Sequence, residues 1–140
     1  MTMTKRQRVL FLCTGNSARS QMAEGLLRHI AGDQFDVFSA GTRPVGLNPN
    51  AVTAMSEIGI NISGSRSKSV DEFAGQRFDY VFTVCDNAKE SCPVFPGGGK
   101  KLHESFLDPA AAPVDKQLGV FREIRDQIAH RLRKFVREES

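Results

Sequence analysis

The sequence has no tryptophan, a single tyrosine and only three cysteines among its 140 residues. An odd and small number of thiols argues against a secreted scaffold held by disulfides, and leaves the cysteines for chemistry in a reducing compartment. No apolar run approaches the ~20 residues of a membrane span, so no membrane insertion is expected. Val9 to Leu12 is also too short for the core of a signal peptide, and the expectation is a cytoplasmic chain. Excess charge is missing as well: 19 Lys and Arg stand against 16 Asp and Glu. The basic cluster Arg131, Arg133, Lys134 and Arg137 is interleaved with acids and reads as a solvated helix face. With no aromatic platform beside it, nucleic acid is not expected as a partner.

What is present is an ordinary globular mixture, 40% apolar and 25% charged. The length suits one domain over residues 1–140, and no repeat or linker interrupts it. Strand-like and helix-like patterns alternate. Val9–Leu12 reads as a buried strand, followed by the turn Gly15-Asn16-Ser17. From Ser20 the apolar residues Met22, Ala23, Leu26, Leu27 and Ile30 fall at helical spacing and stop before Gly32. Phe35–Ala40 reads as a strand, and Asn50–Ile58 as a helix with Asn48 or Asn50 as its cap. A short helix fits Ser69–Phe73, the clearest strand is Tyr80–Val84, and a fourth strand is expected within Lys101–Phe106. Leu118, Phe121, Ile124, Ile128, Leu132 and Phe135 mark a long amphipathic C-terminal helix. This order predicts an α/β domain with a small four-stranded, mostly parallel, twisted sheet and helices on both faces. In such sheets ligands bind beyond the carboxyl ends of the strands. Cys13 follows the first strand there, and Cys85 follows the third.

Cys13-Thr14-Gly15-Asn16-Ser17-Ala18-Arg19-Ser20 is a C-x5-R-S loop between a strand and a helix. Such a turn directs successive backbone N–H groups inward, and the helix N-terminus adds partial positive charge. Gly15 and Asn16 tolerate the left-handed backbone that a nest of this kind uses. Arg19 offers a bidentate, permanently charged fork. The same positive surroundings favour a thiolate on Cys13, the nucleophilic form. A lone cysteine after a strand would read as one more small buried side chain. The Gly-Asn turn, the sixth-place arginine and the helix start make the oxyanion cradle the stronger reading.

Residues 9–25, VLFLCTGNSARSQMAEG, resemble the phosphate loop of the low-molecular-weight protein-tyrosine-phosphatase superfamily, which also lies near the N-terminus. Larger tyrosine phosphatases usually carry a histidine before the cysteine, where this chain has Leu12. The resemblance implies that Thr14 to Ser20 bind a tetrahedral oxyanion, that Cys13 attacks it, and that Asp108 of Asp108-Pro109 is the general acid. By itself an Asp-Pro pair is a common turn.

Phosphatases and arsenate reductases share this loop and differ in the fate of the covalent intermediate. Cys85-Asp86-Asn87-Ala88-Lys89-Glu90-Ser91-Cys92-Pro93 resembles the redox segment of the thioredoxin-coupled arsenate reductases. Met22-Ala23-Glu24-Gly25, Ser39-Ala40-Gly41, Asn48-Pro49 and Asp108-Pro109 follow in that group's order. The resemblance implies that Cys13, Cys85 and Cys92 form a relay reducing arsenate to arsenite, reset by thioredoxin, with no cofactor and with phosphate or sulfate as mimics of the substrate. The alternative is a phosphatase that hydrolyses phosphate monoesters through a cysteinyl-phosphate, although the adjacent tyrosines typical of many such enzymes are missing. Read from the residues alone, Cys85 and Cys92 could be two buried thiols, or with His103 a zinc set that lacks a tight C-x2-C knuckle. No metal is expected. Some members hold potassium on residues matching Asn16, Glu24, Ser39 and a later Asp, which here is Lys68. A lysine ammonium there would replace the ion; a shifted register would instead leave Lys68 on the surface. Between the two later cysteines, Asp86–Ser91 contains helix formers and is expected to hold a helical turn or two when reduced.

Overall fold

Short apolar runs rich in valine and phenylalanine form strands because branched and aromatic side chains pack well on a pleat buried on both sides. In the computed structural model, which describes residues 6–86 and 95–139, four such runs pair. They are β1 (Gln7–Cys13), β2 (Phe35–Gly41), β3 (Phe78–Thr83) and β4 (Gly98–His103). All neighbours are parallel, in the order β2-β1-β3-β4. Among the described residues three α-helices accompany them: α1 (Arg19–Ala31), α2 (Pro49–Ser56) and α3 (Gln117–Glu139). The α/β architecture expected from the pattern is the one observed.

Because side chains alternate along a strand, β1 feeds two cores at once. Val9, Phe11 and Cys13 join the core made with α1, α2 and α3. Leu10 and Leu12 point to the other face, which Phe73 of the 3₁₀ helix Val70–Phe73 and Phe95 cover. The stripe read in the C-terminal helix is the one buried: Phe121, Ile124, Ile128, Leu132 and Phe135 are each at most 2% exposed. At roughly 1.5–3 kcal/mol for each large side chain, this stripe is a major source of stability. Phe135 meets Phe35 and Tyr80 with ring centroids 5.4 and 5.1 Å away. Asn48 caps α2, its side chain accepting from Asn50 N at 2.8 Å.

Several boundaries differ from the pattern reading, each for a physical reason. β4 is Gly98–His103 rather than a strand within Lys101–Phe106. Its first residues are glycines, whose strand propensity is poor, but a Cβ on Gly98 would come within 2.4 Å of Val81 Cγ2. Only glycine lets this stretch approach β3. α1 starts at Arg19, one residue before Ser20, and β3 runs from Phe78 to Thr83, although Val84 N still donates to Leu12 O at 2.9 Å. The expected helical turn in Asp86–Ser91 lies, beyond Asp86, outside the described residues, as does Cys92.

In the order β2-β1-β3-β4 the chain leaves β1 to one side and returns on the other. The crevice at the carboxyl end of β1 is therefore the switch point where parallel sheets bind ligands. Cys13 is the last residue of β1.

Candidate active site

At that crevice lies a pocket of about 370 Å³, lined by Cys13, Thr14, Arg19 and Asp108, with Arg43 and Val45 on its rim side. The structure thus brings together three of the five residues singled out for catalysis, although Asp108 is 95 residues from Cys13 in the chain.

The polarity of the loop follows from where its carbonyls go. Thr14 O accepts from Arg43 N at 2.9 Å, Gly15 O from Val45 N at 3.1 Å, and Ser17 O from Asn48 N at 3.0 Å. The segment after β2 therefore takes up the loop's acceptors from outside. α1 begins with Ala18 in the capping position, no side-chain cap and no acid in its first turn. A helix start left uncapped in this way keeps its N–H groups for an anion.

Asn16 holds the loop in shape. It is fully buried, with φ +44°, and all its polar capacity is used. Its Nδ2 donates to Ser20 Oγ (2.8 Å) and Ser39 Oγ (3.0 Å), and its Oδ1 accepts from Lys68 N (2.8 Å) and Gln21 Nε2 (3.1 Å). The left-handed residue is Asn16 alone. Gly15 is not left-handed; its hydrogen makes room, since a Cβ would stand 3.1 Å from Val45 Cγ2. Gly41, at the end of β2, is required more strictly, because a Cβ there would lie 2.5 Å from Thr14 O.

Cys13 is 2% exposed, and its Sγ lies 2.8 Å from Ser20 Oγ. Ser20 already accepts from Asn16 Nδ2, so its own proton is available to Cys13 Sγ, an arrangement that suits a thiolate. Arg19, 4% exposed, donates through Nη1 to Phe106 O at 3.1 Å. That bond couples the loop arginine to the stretch carrying Asp108. Asp108 is exposed, and its Oδ1 accepts from Ala110 N at 3.0 Å, which fixes the turn that begins at Pro109.

Behind the loop, Ser39 Oγ donates to Glu24 Oε1 at 2.7 Å, and Arg28 pairs with Glu24 at 3.0 Å. Lys68 stands 3.9 Å from Glu24 with its side chain 15% exposed, and its Nζ donates to Arg66 O at 2.7 Å. It is therefore not a surface lysine. Burial pushes its ammonium below the ordinary lysine range, and Glu24 pulls the other way. Among the described residues, no three His, Cys, Asp or Glu side chains gather as a metal set.

Cys85 is buried, does not line the pocket, and is disulfide-bonded, whereas Cys13 is free. Arg43, Val45 and Gln21 are site neighbours that sequence reasoning did not single out. Gln21, 1% exposed, binds both Asn16 and Arg66 O. Its polar side chain among the apolar residues of α1 was the available signal. Residues 43–47 carried none, since only the fold lays them along the loop.

No helix among the described residues is long and apolar enough to cross a membrane. Residues 8–139 match the family model described as low molecular weight phosphotyrosine protein phosphatase. An arsenate reductase of Halalkalibacterium halodurans is 46% identical over 129 residues, 91% of this chain and 93% of that protein. The solved structure of an arsenate reductase in the phosphate binding state superposes with a TM-score of 0.82 at 30% identity, covering 96% of this chain and 99% of that one. A thioredoxin-dependent arsenate reductase of Corynebacterium glutamicum gives a TM-score of 0.71 at 30% identity over 95% of this chain and 60% of that one. The oxyanion loop, the parallel sheet that carries it and these likenesses along nearly the whole length agree: the chain belongs to the low molecular weight phosphotyrosine protein phosphatase family, among its arsenate reductases.

Proposed function

We propose that this protein reduces arsenate to arsenite in the cytoplasm by a three-thiol relay and that thioredoxin resets it. The observation that carries this reading is one pocket lined by Cys13, Arg19 and Asp108, with a second cysteine, Cys85, just past the end of the neighbouring strand. In the first step the Cys13 thiolate attacks arsenic while the backbone of Thr14 to Ser20 and the Arg19 guanidinium hold the oxyanion. Asp108 gives a proton to the departing oxygen, which leaves as water. Cys85 as thiolate then attacks Cys13 Sγ. The S–As bond breaks, its electron pair reduces As(V) to As(III), and arsenite leaves a Cys13–Cys85 disulfide. Cys92 next attacks Cys85 and frees Cys13, and an external dithiol reduces Cys85–Cys92. A free Cys13 beside a disulfide-bonded Cys85 is what the relay requires of the state awaiting its reductant.

The shared loop also supports hydrolysis of phosphate monoesters as a side activity, because water can take the place of Cys85 in the second step. Arsenate-dependent NADPH consumption with thioredoxin and thioredoxin reductase, run beside p-nitrophenyl phosphate hydrolysis, tests the two. Arsenite formation with weak hydrolysis is expected. Hydrolysis with no arsenite formed would reject the reductase.

A further inference from the structure

The pocket contains two arginines, and only one is tied down. Arg19 is almost wholly buried and bonded to Phe106 O. Arg43 lines the same pocket but is exposed. Its guanidinium makes no hydrogen bond or ion pair with any described residue. Most other arginines of the fold are partnered: Arg66 by Glu72, Arg122 by Glu57 and Arg131 by Glu104, each at 3.0 Å or less. Among the described residues Arg43 has no side-chain partner, although its backbone is held to the loop. Its own N donates to Thr14 O, and two residues later Val45 N donates to Gly15 O. The side chain is thus delivered to the mouth on a rigid support. Among the described residues, the one carboxylate lining the pocket is Asp108, and its Oδ1 is engaged by Ala110 N.

We infer that Arg43 is a specificity-determining binding residue that selects doubly charged tetrahedral oxyanions over singly charged ones. The inference deepens the reading of the site given above and rests on it for the identity of the substrate. The physics is Coulombic. An unneutralised cation at a partly enclosed pocket mouth attracts a dianion with twice the energy it gives a monoanion, and it acts on capture more than on the chemical step. The loop N–H groups and Arg19 hold the oxyanion, and Arg43 raises its occupancy and its charge selectivity.

The test uses sulfate and perchlorate, tetrahedral ions whose charges of −2 and −1 do not change near neutral pH, together with inorganic phosphate. Their binding to the full-length wild-type protein, Arg43→Met and Arg43→Lys is measured by calorimetry. For Arg43→Met, sulfate and phosphate should bind about tenfold more weakly and perchlorate only about threefold, and Arg43→Lys should recover most of the loss. In the coupled assay the KM for arsenate should rise about tenfold with kcat unchanged, and added NaCl should inhibit the variant less steeply. Sulfate binding unchanged in Arg43→Met, or sulfate and perchlorate weakened equally, would overturn the assignment. The binding arm needs no turnover. A sulfate-selective loss in a protein that forms no arsenite would sink the reductase and leave the role of Arg43 standing.

Discussion

Two adjacent parallel strands lead to cysteines, β1 ending at Cys13 and β3 stopping two residues short of Cys85, and the chain treats the two ends differently. After β1 it makes a loop whose Asn16 is tied to Ser20 of α1 and Ser39 of β2 by hydrogen bonds of 2.8 and 3.0 Å, and Cys13 lines the pocket. After β3, Val84 still leans on β1 through Leu12 O, and Cys85 is fully buried, outside the pocket lining. The first end is preorganised, so attack on a bound oxyanion needs no rearrangement of the chain. The second carries a buried, disulfide-bonded thiol that does not line the pocket. In the proposed relay, binding and attack fall to the loop after β1, and electron transfer to the cysteine after β3.

The largest effect that tests this contrast comes from Cys13→Ser. It should remove arsenite formation and p-nitrophenyl phosphate hydrolysis together, by roughly 10⁴-fold or more, while phosphate still binds in calorimetry. Cys85→Ser should split the two activities, abolishing arsenite release and leaving phosphate ester hydrolysis near the parent rate. Its companion Cys92→Ser should give one arsenite per chain and a Cys13–Cys85 disulfide visible by mass spectrometry, and repeated turnover with thioredoxin would break the proposed order of thiols. Asp108→Asn should lower kcat about 100-fold, the usual scale for a lost general acid, with phosphate affinity preserved.

Effects on the support of the rigid end should be smaller. Ser39→Ala removes the hydroxyl that donates to Glu24 and accepts from Asn16. Leaving buried groups short of a partner should cost about 1–3 kcal/mol in denaturant melts. Arsenate KM should rise as Asn16 loosens. The smallest change concerns Lys68. Burial holds its folded value below the ordinary 10.5, so between those two values the unfolded chain binds more protons than the folded one. Its contribution to stability therefore rises with pH across that interval. Denaturation midpoints of the wild type, compared with Lys68→Met from pH 8 to 10.5, should show this alkaline gain only where the lysine is present.

Much of the sheet and of the site could be read from particular residues. Val9–Leu12 and Tyr80–Val84 carried their own pattern, and so did the buried stripe of α3. The C-x5-R-S spacing put Cys13 and Arg19 on one turn between a strand and a helix, which is local geometry, and both line one pocket. β4 was misplaced because its first two residues are glycines whose strand conformation comes from pairing with Phe78–Tyr80, and pairing across 20 residues leaves no local trace.

The order of elements, the apolar faces and the turn of the C-x5-R-S loop are written locally, since all of these depend on side chains within a few residues of one another. It took packing between distant segments to bring Asp108 into one pocket with Cys13, to set Lys68 beside Glu24, and to lay the segment 43–48 on the loop's carbonyls with Arg43 in the pocket lining. Those outcomes depend on how strand ends distant in the chain converge at one edge of the sheet. Convergence of that kind is set by the packing of whole elements, which no short stretch of residues encodes.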